Sequence, residues 1–144
     1  MVLSEKVPTF ALDNKSINRL RSGIKTKIMN NKKNTAAMIA AIAAANPTGF
    51  TVNAQTMEPI TKGFAVAVEE TQNSFNAEGI GQVINYINNH PEVNAIGGWY
   101  DSESGRYYYD ATIVVNSISE AIELGRINKQ LAVFNLNTLE EIRL

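Results

Sequence analysis

The chain has 144 residues, the length of a single domain, with 44% hydrophobic and 19% charged residues and a formal net charge of −1. It contains no cysteine, which excludes a disulfide framework, a thiolate metal site and a cysteine nucleophile. No run approaches the ~20 apolar residues of a membrane span, and the start, Met1-Val2-Leu3-Ser4-Glu5-Lys6, lacks the pattern of a signal peptide, so a cytoplasmic protein with no membrane contact is expected. The near-neutral total hides a split. Residues 1–47 carry eight basic side chains against Glu5 and Asp13, a net of +6, whereas residues 48–144 carry a net of −7. A basic N-terminal arm (1–47) on an acidic body (48–144) points to polyanion contact, self-association or a protein partner.

From Asn14 to about Met29, Ile17, Leu20, Ile24 and Ile28 fall on one stripe of a predicted helix. Its other faces carry Lys15, Arg19, Arg21, Lys25 and Lys27, the candidate contacts to a partner or to nucleic acid, because clustered cations supply the salt-sensitive part of such binding. Asn30 to Asn34 reads as a polar break. Thr35 then caps a second predicted helix, Ala36 to Ala45, closed by Asn46-Pro47.

After Pro47 the period changes. Phe50-Thr51-Val52 reads as a short strand, and Phe64 to Glu70 alternates with period two. Asn76 is placed to cap a helix whose apolar residues Ile80, Val83, Ile84 and Ile87 follow the i, i+3, i+4, i+7 pattern, and Pro91 ends it. Ala95 to Tyr100 is a strand, Asp101 to Gly105 a turn, and Arg106 to Val115 a long strand rich in tyrosine and β-branched residues. Ser117 and Glu120 have capping-box spacing before another helix. Leu131 to Leu136 is a strand, and Ile142 to Leu144 a terminal edge. Strand, helix, strand, hairpin, strand, helix, strand is the split βαβ order, so the expected fold is α+β: a ferredoxin-like antiparallel sheet with an added strand and an N-terminal helical arm.

Chemistry-bearing motifs are sparse. No GxSxG, HExxH, Walker-type or GxGxxG pattern occurs, His90 is the single histidine, and no metal or cofactor is expected. The polar run holding Glu69, Glu70, Gln72 and Asn73 lies between a strand and a helix, where loops often meet ligands. With Asp101 or Asp110 it forms the one candidate acid/base grouping. Trp99, Tyr100 and Tyr108 flank the hairpin. Alternation puts Tyr107, Tyr109, Ala111, Ile113 and Val115 on one face, packed on helices, and Tyr108, Asp110, Thr112 and Val114 on the other. The glycine-and-aromatic signature of RNA-stacking sheets is not met at Arg106-Tyr107-Tyr108-Tyr109, so core and cross-strand packing is the leading reading of the rings, and a partner surface the second.

The run Gly97-Gly98-Trp99-Tyr100-Asp101-Ser102-Glu103-Ser104-Gly105-Arg106-Tyr107-Tyr108, followed by Glu120-Ala121-Ile122-Glu123-Leu124-Gly125-Arg126 and Gln130-Leu131-Ala132-Val133-Phe134-Asn135, resembles small proteins carried by phages and conjugative elements of gut bacteria. The resemblance covers about residues 47–144 and implies a context, not a reaction: action on host machinery, on element DNA or within a particle. The expectation is a non-enzymatic accessory protein, a homo-oligomer through its arm, that binds a host defence or nucleic-acid-handling protein. The rivals are a direct nucleic-acid binder using the basic arm, and a small nucleotide-binding protein or enzyme using the Glu69–Ser74 loop.

Overall fold

A computed structural model describes residues 32–144. The predicted helix of residues 14–29, with Lys15, Arg19, Arg21, Lys25 and Lys27, lies outside the described residues. Those that are described form α1 (Lys32–Ala45), β1 (Gly49–Asn53), β2 (Phe64–Ala67), a 3-10 turn (Glu69–Thr71), α2 (Asn76–Asn88), β3 (Ala95–Asp101), β4 (Arg106–Val115), α3 (Ile118–Ile127), β5 (Ala132–Asn135) and β6 (Glu140–Arg143).

The strands make one antiparallel sheet in the order β1-β3-β4-β2-β5-β6. Its inner four strands with α2 and α3 are the ferredoxin-like arrangement, extended by β1 on one side and β6 on the other. The β3–β4 hairpin closes through Gly105, whose φ of 71° suits glycine, and pairs Asp101 with Arg106. The Ser117 hydroxyl accepts from the Glu120 amide at the start of α3, as the capping-box spacing predicts.

All three described helices cover one face. Ile39 and Ile42 of α1, Val83 and Ile84 of α2, Phe50 and Val52 of β1, Ile96 of β3, and Tyr109 and Ala111 of β4 form the main core. Val66, Ala121 and Val133 form a smaller one beneath α3. The alanine-rich α1 lies close against α2 and β1, where its two isoleucines are buried. At Gly98 the Phe50 ring lies directly on the backbone, with ring carbons 2.2 to 2.8 Å from where a Cβ would stand, so only glycine fits there.

Three local expectations change. First, α1 begins at Lys32, and Thr35 is a buried residue within it, not its cap. Second, β2 ends at Ala67, short of Glu70. The Val68 amide still bonds the Ala111 carbonyl, but the chain then turns, and Thr71 Oγ1 accepts the Ala111 amide at 3.0 Å in place of a strand carbonyl. Third, Asn76 does not cap α2: it is the first helical residue, with φ 61°, and Phe75 occupies the cap position without a side-chain bond. Gly79 explains the tight entry, since a Cβ there would stand 2.4 Å from the Ser74 carbonyl carbon.

Both sheet edges are modified. Segment 58–60 lies along β1, with the Asn53 amide donating to the Glu58 carbonyl at 2.8 Å and the Ile60 amide to the Thr51 carbonyl at 2.9 Å. The outer strand β6 carries Glu140, Glu141 and Arg143.

Candidate functional site

Alternation along β4 decides which residues the helices cover. Tyr107, Tyr109, Ala111 and Ile113 pack into the main core, and Val115 against the smaller one, as the period predicts. Tyr108, Asp110, Thr112 and Val114 therefore point to the opposite face, which carries none of the described helices. Register extends that face across the sheet. Trp99 lies beside Tyr108, Gly97 beside Asp110, and Ala95 beside Thr112. On the flanks, Thr51 lies beside Gly97, Ala67 beside Thr112, and Ala65 beside Phe134.

Small residues in the middle of this face and rings at its sides leave a groove of about 330 Å³. Thr51, Ala65, Ala67, Gly97 and Thr112 line its floor, while Trp99 and Phe134 are its large side chains. A Cβ on Gly97 would meet the Thr112 hydroxyl at 3.0 Å, so any larger residue there would begin to fill the groove. At one end three rings run across the strands. Trp99 stacks on Tyr108 with centroids 4.9 Å apart and planes at 15°, and Phe75 meets Tyr108 edge-on at 5.6 Å. The Arg106 guanidinium stands 4.2 Å above the Phe75 ring. Trp99 remains 46% exposed. The leading expectation for the hairpin rings thus holds as core packing for Tyr107 and Tyr109 and as cross-strand packing for Trp99 on Tyr108, the latter pair lying on the helix-free surface.

Asp110 is the groove's one half-buried charged group. Desolvation pushes its carboxyl up to about 7, against the pull of a hydrogen bond from the Trp99 indole. Glu141 stands exposed at the far rim, so both ionisable side chains lining the groove are acidic. A carboxyl that titrates near neutrality among apolar walls can act as a proton donor, a proton acceptor or a counter-ion to a cation.

The remaining predicted residues separate. Glu70, Gln72 and Asn73 line a second, polar cleft of about 410 Å³ with Gln82, Asn85, Tyr86 and His90. There the Tyr86 hydroxyl donates to Glu70 at 3.3 Å, and the Tyr86 ring stacks on His90 at 3.7 Å. Burial first, then the Glu70 charge, raises the Tyr86 phenol above its usual range. His90 Nδ1 sits 2.8 Å from the Tyr86 carbonyl, closing the last turn of α2. Glu69 turns away from this cleft to Lys129, 3.4 Å distant, and its amide donates to Asn128. Tyr100 is exposed at the hairpin, and Asp101 holds its turn: the Ser104 hydroxyl, at 2.8 Å, keeps that carboxyl below the usual carboxylate range. The candidate acid/base grouping of Glu69 or Glu70 with Asp101 or Asp110 is therefore not assembled. Glu70 and Asp110 line different hollows, and Glu69 and Asp101 line neither.

Sequence reasoning did not find Phe134, Phe75 or the small-residue floor. The alternation that placed Asp110 also sets Ala65 and Ala67 on a single face. What brings Phe134 beside them is the β2–β5 pairing, a long-range contact with no local signal.

No known protein family matches the chain, and no solved structure matches it. Two curated proteins do, each 33% identical over 82 residues: the 4-hydroxy-3-methylbut-2-enyl diphosphate reductases of Thermoanaerobacter sp. (strain X514) and Thermoanaerobacter pseudethanolicus (strain ATCC 33223 / 39E). The match covers 57% of this chain and 26% of each reductase, so the chain spans about a quarter of the length of the curated relatives it matches. Among the described residues, no helix is long and apolar enough to cross a membrane, and no cluster of three or more His, Asp or Glu is arranged to hold a metal ion.

Proposed function

We propose that this protein works by binding a protein partner on the helix-free face of its sheet, as an accessory protein of a phage or conjugative element that occupies a basic surface on a host defence or nucleic-acid-handling protein. The observation that carries this reading is the Trp99–Tyr108 stack beside a groove whose charged lining is wholly acidic. Exposed tryptophan and tyrosine are favoured anchors of protein interfaces, and an acidic rim steers a basic partner while repelling phosphate. Rings on such a sheet would also suit stacked bases, but Asp110 and Glu141 oppose a nucleic-acid backbone. The net charge of −7 on residues 48–144 acts in the same direction.

The test is interferometry on the full chain against a panel of purified bacterial restriction and recombination nucleases, with Trp99→Ala, Tyr108→Ala and the α3 surface control Glu123→Ala. A partner bound by the wild type, weakened tenfold or more by Trp99→Ala and unaffected by Glu123→Ala, is the expected result. Binding to DNA or RNA alone that falls steeply with salt, and is lost when Lys15, Arg19 and Arg21 become Ala, would replace this reading with the nucleic-acid one.

The polar cleft of Glu70, Gln72, Asn73 and Tyr86 favours a second reading, a small polar ligand bound beside α2. Under that reading a nucleotide raises the melting temperature, and Tyr86→Phe abolishes the rise.

A further inference from the structure

We propose that the groove on the helix-free face is a seat for one long cationic side chain, a lysine or arginine of the partner protein, with Asp110 as its counter-ion and Trp99 and Phe134 as its walls. This rests on the reading of that face as a protein-binding surface, and it names what the surface recognises.

Shape comes first. The floor is made of glycine, alanine and threonine across four adjacent strands, and the large side chains are aromatic. Such a trough suits an extended methylene stem, which packs on apolar surface while its head reaches a polar group. An aromatic wall also attracts a cationic head.

Charge comes second. The groove's two ionisable lining residues are Asp110 and Glu141. On the same face, Arg106 and Asp101 stand opposite each other at the hairpin end. Arg106 is roughly 13 Å along the strand from Asp110, with its guanidinium over Phe75. Arg143 lies across from Ala132 on β6, and neither it nor Arg106 lines the groove. No basic residue of the described chain therefore fills the place of the counter-ion.

Hydrogen bonding comes third. An ionised carboxylate accepts about four hydrogen bonds, and the Trp99 indole is the side-chain donor identified for Asp110. A primary ammonium or a guanidinium supplies donors for the remaining lone pairs, and a guanidinium does so in a matched fork. Because desolvation holds the free carboxyl up to about 7, seating a cation displaces a proton. Affinity should then climb about tenfold per pH unit below 7 and level off above it.

The experiment is an NMR titration of the full chain with n-butylguanidinium chloride, n-butylammonium chloride and, as the neutral probe, n-butanol, at pH 8.0 and pH 5.5. It is repeated on Asp110→Asn, which keeps the side-chain volume. Saturable shifts of the Trp99 indole and Gly97 amide signals are expected with both cations at pH 8.0, at least tenfold weaker at pH 5.5 and in Asp110→Asn, with little response to n-butanol. The Asp110 carboxyl carbon should titrate at lower pH when the cation is present. Equal responses to n-butanol and the cations, or undiminished cation binding by Asp110→Asn, would overturn the seat. So would groove signals that follow protein concentration alone, since the groove would then belong to a second copy. A partner sensitive to Trp99→Ala but indifferent to Asp110→Asn defeats the seat and leaves the binding face standing. Cation binding in the groove, with a partner that ignores Trp99→Ala, defeats the binding face instead.

Discussion

Tyr109 and Tyr108 are neighbours on β4, and they belong to different problems. Tyr109 points into the helices, is 5% exposed and closes the core with Phe50 and Ala111. Tyr108 points the other way and stacks on a half-exposed Trp99. On the covered side the core side chains pack on one another, and the Phe50 ring lies directly on the Gly98 backbone. On the helix-free side the sequence supplies small residues where volume would have stabilised, and a carboxyl where an apolar group would have been easier to bury. One strand thus separates a face whose composition favours folding from one whose composition opposes it, and the proposed binding face rests on that contrast.

The sharpest way to break this contrast is to truncate both tyrosines. Tyr109→Ala should lower unfolding free energy by about 3–5 kcal/mol, as removal of a buried ring does, and Tyr108→Ala by about 1 kcal/mol, measured by urea unfolding. Equal losses would mean that the two faces are equally structural. Asp110→Asn should act in the opposite direction. A carboxyl whose folded value is about 7 takes up a proton on folding between the unfolded value near 4 and 7, so the wild type loses stability as pH rises through that window. At about 1.4 kcal/mol per unit, Asp110→Asn should be more stable by at most about 4 kcal/mol at pH 8 and unchanged at pH 3.5. A melting curve with the same pH slope in both proteins would remove Asp110 from the account. Thr71→Val leaves the buried Ala111 amide without its acceptor and should cost about 1–3 kcal/mol, with faster amide exchange at Ala111 as the local sign. The smallest effect belongs to Trp99→Phe. The fold should lose under about 1 kcal/mol, while the Asp110 carboxyl, without its indole donor, should titrate at still higher pH by carboxyl-carbon NMR.

The order of strands and helices from Phe64 onward was legible because each element carries its own period and its own stop. Ile80, Val83, Ile84 and Ile87 end at Pro91, and the tyrosine strand begins after Gly105. The two faces of β4 were legible for the same reason. The early end of β2 was not, since Val68 and Glu70 continue the alternation, and the chain leaves the strand because the Thr71 hydroxyl satisfies β4 in its place. The start of α1 at Lys32 was hidden by an asparagine- and lysine-rich run that reads as a break. The candidate site was half legible. Trp99, Tyr108 and Asp110 share a face by register across one hairpin, but the same reading joined them to Glu70 and Gln72, which the 3-10 turn carries to the other side of the molecule. The trough itself depends on β5 arriving beside β2, after α3 has crossed the sheet.

The margins of the sheet have a consequence of their own. A β-sheet ends in rows of amides and carbonyls that would accept another strand from any passing molecule. Here one margin is occupied by the segment around Pro59, which bridges to Val52, and the other presents Glu140, Glu141 and Arg143. Neither invites stacking into fibrils. Among the described residues, backbone-to-backbone polymerisation is therefore disfavoured at both margins, and the exposed aromatic face can stay partly apolar without adding an open strand edge to it.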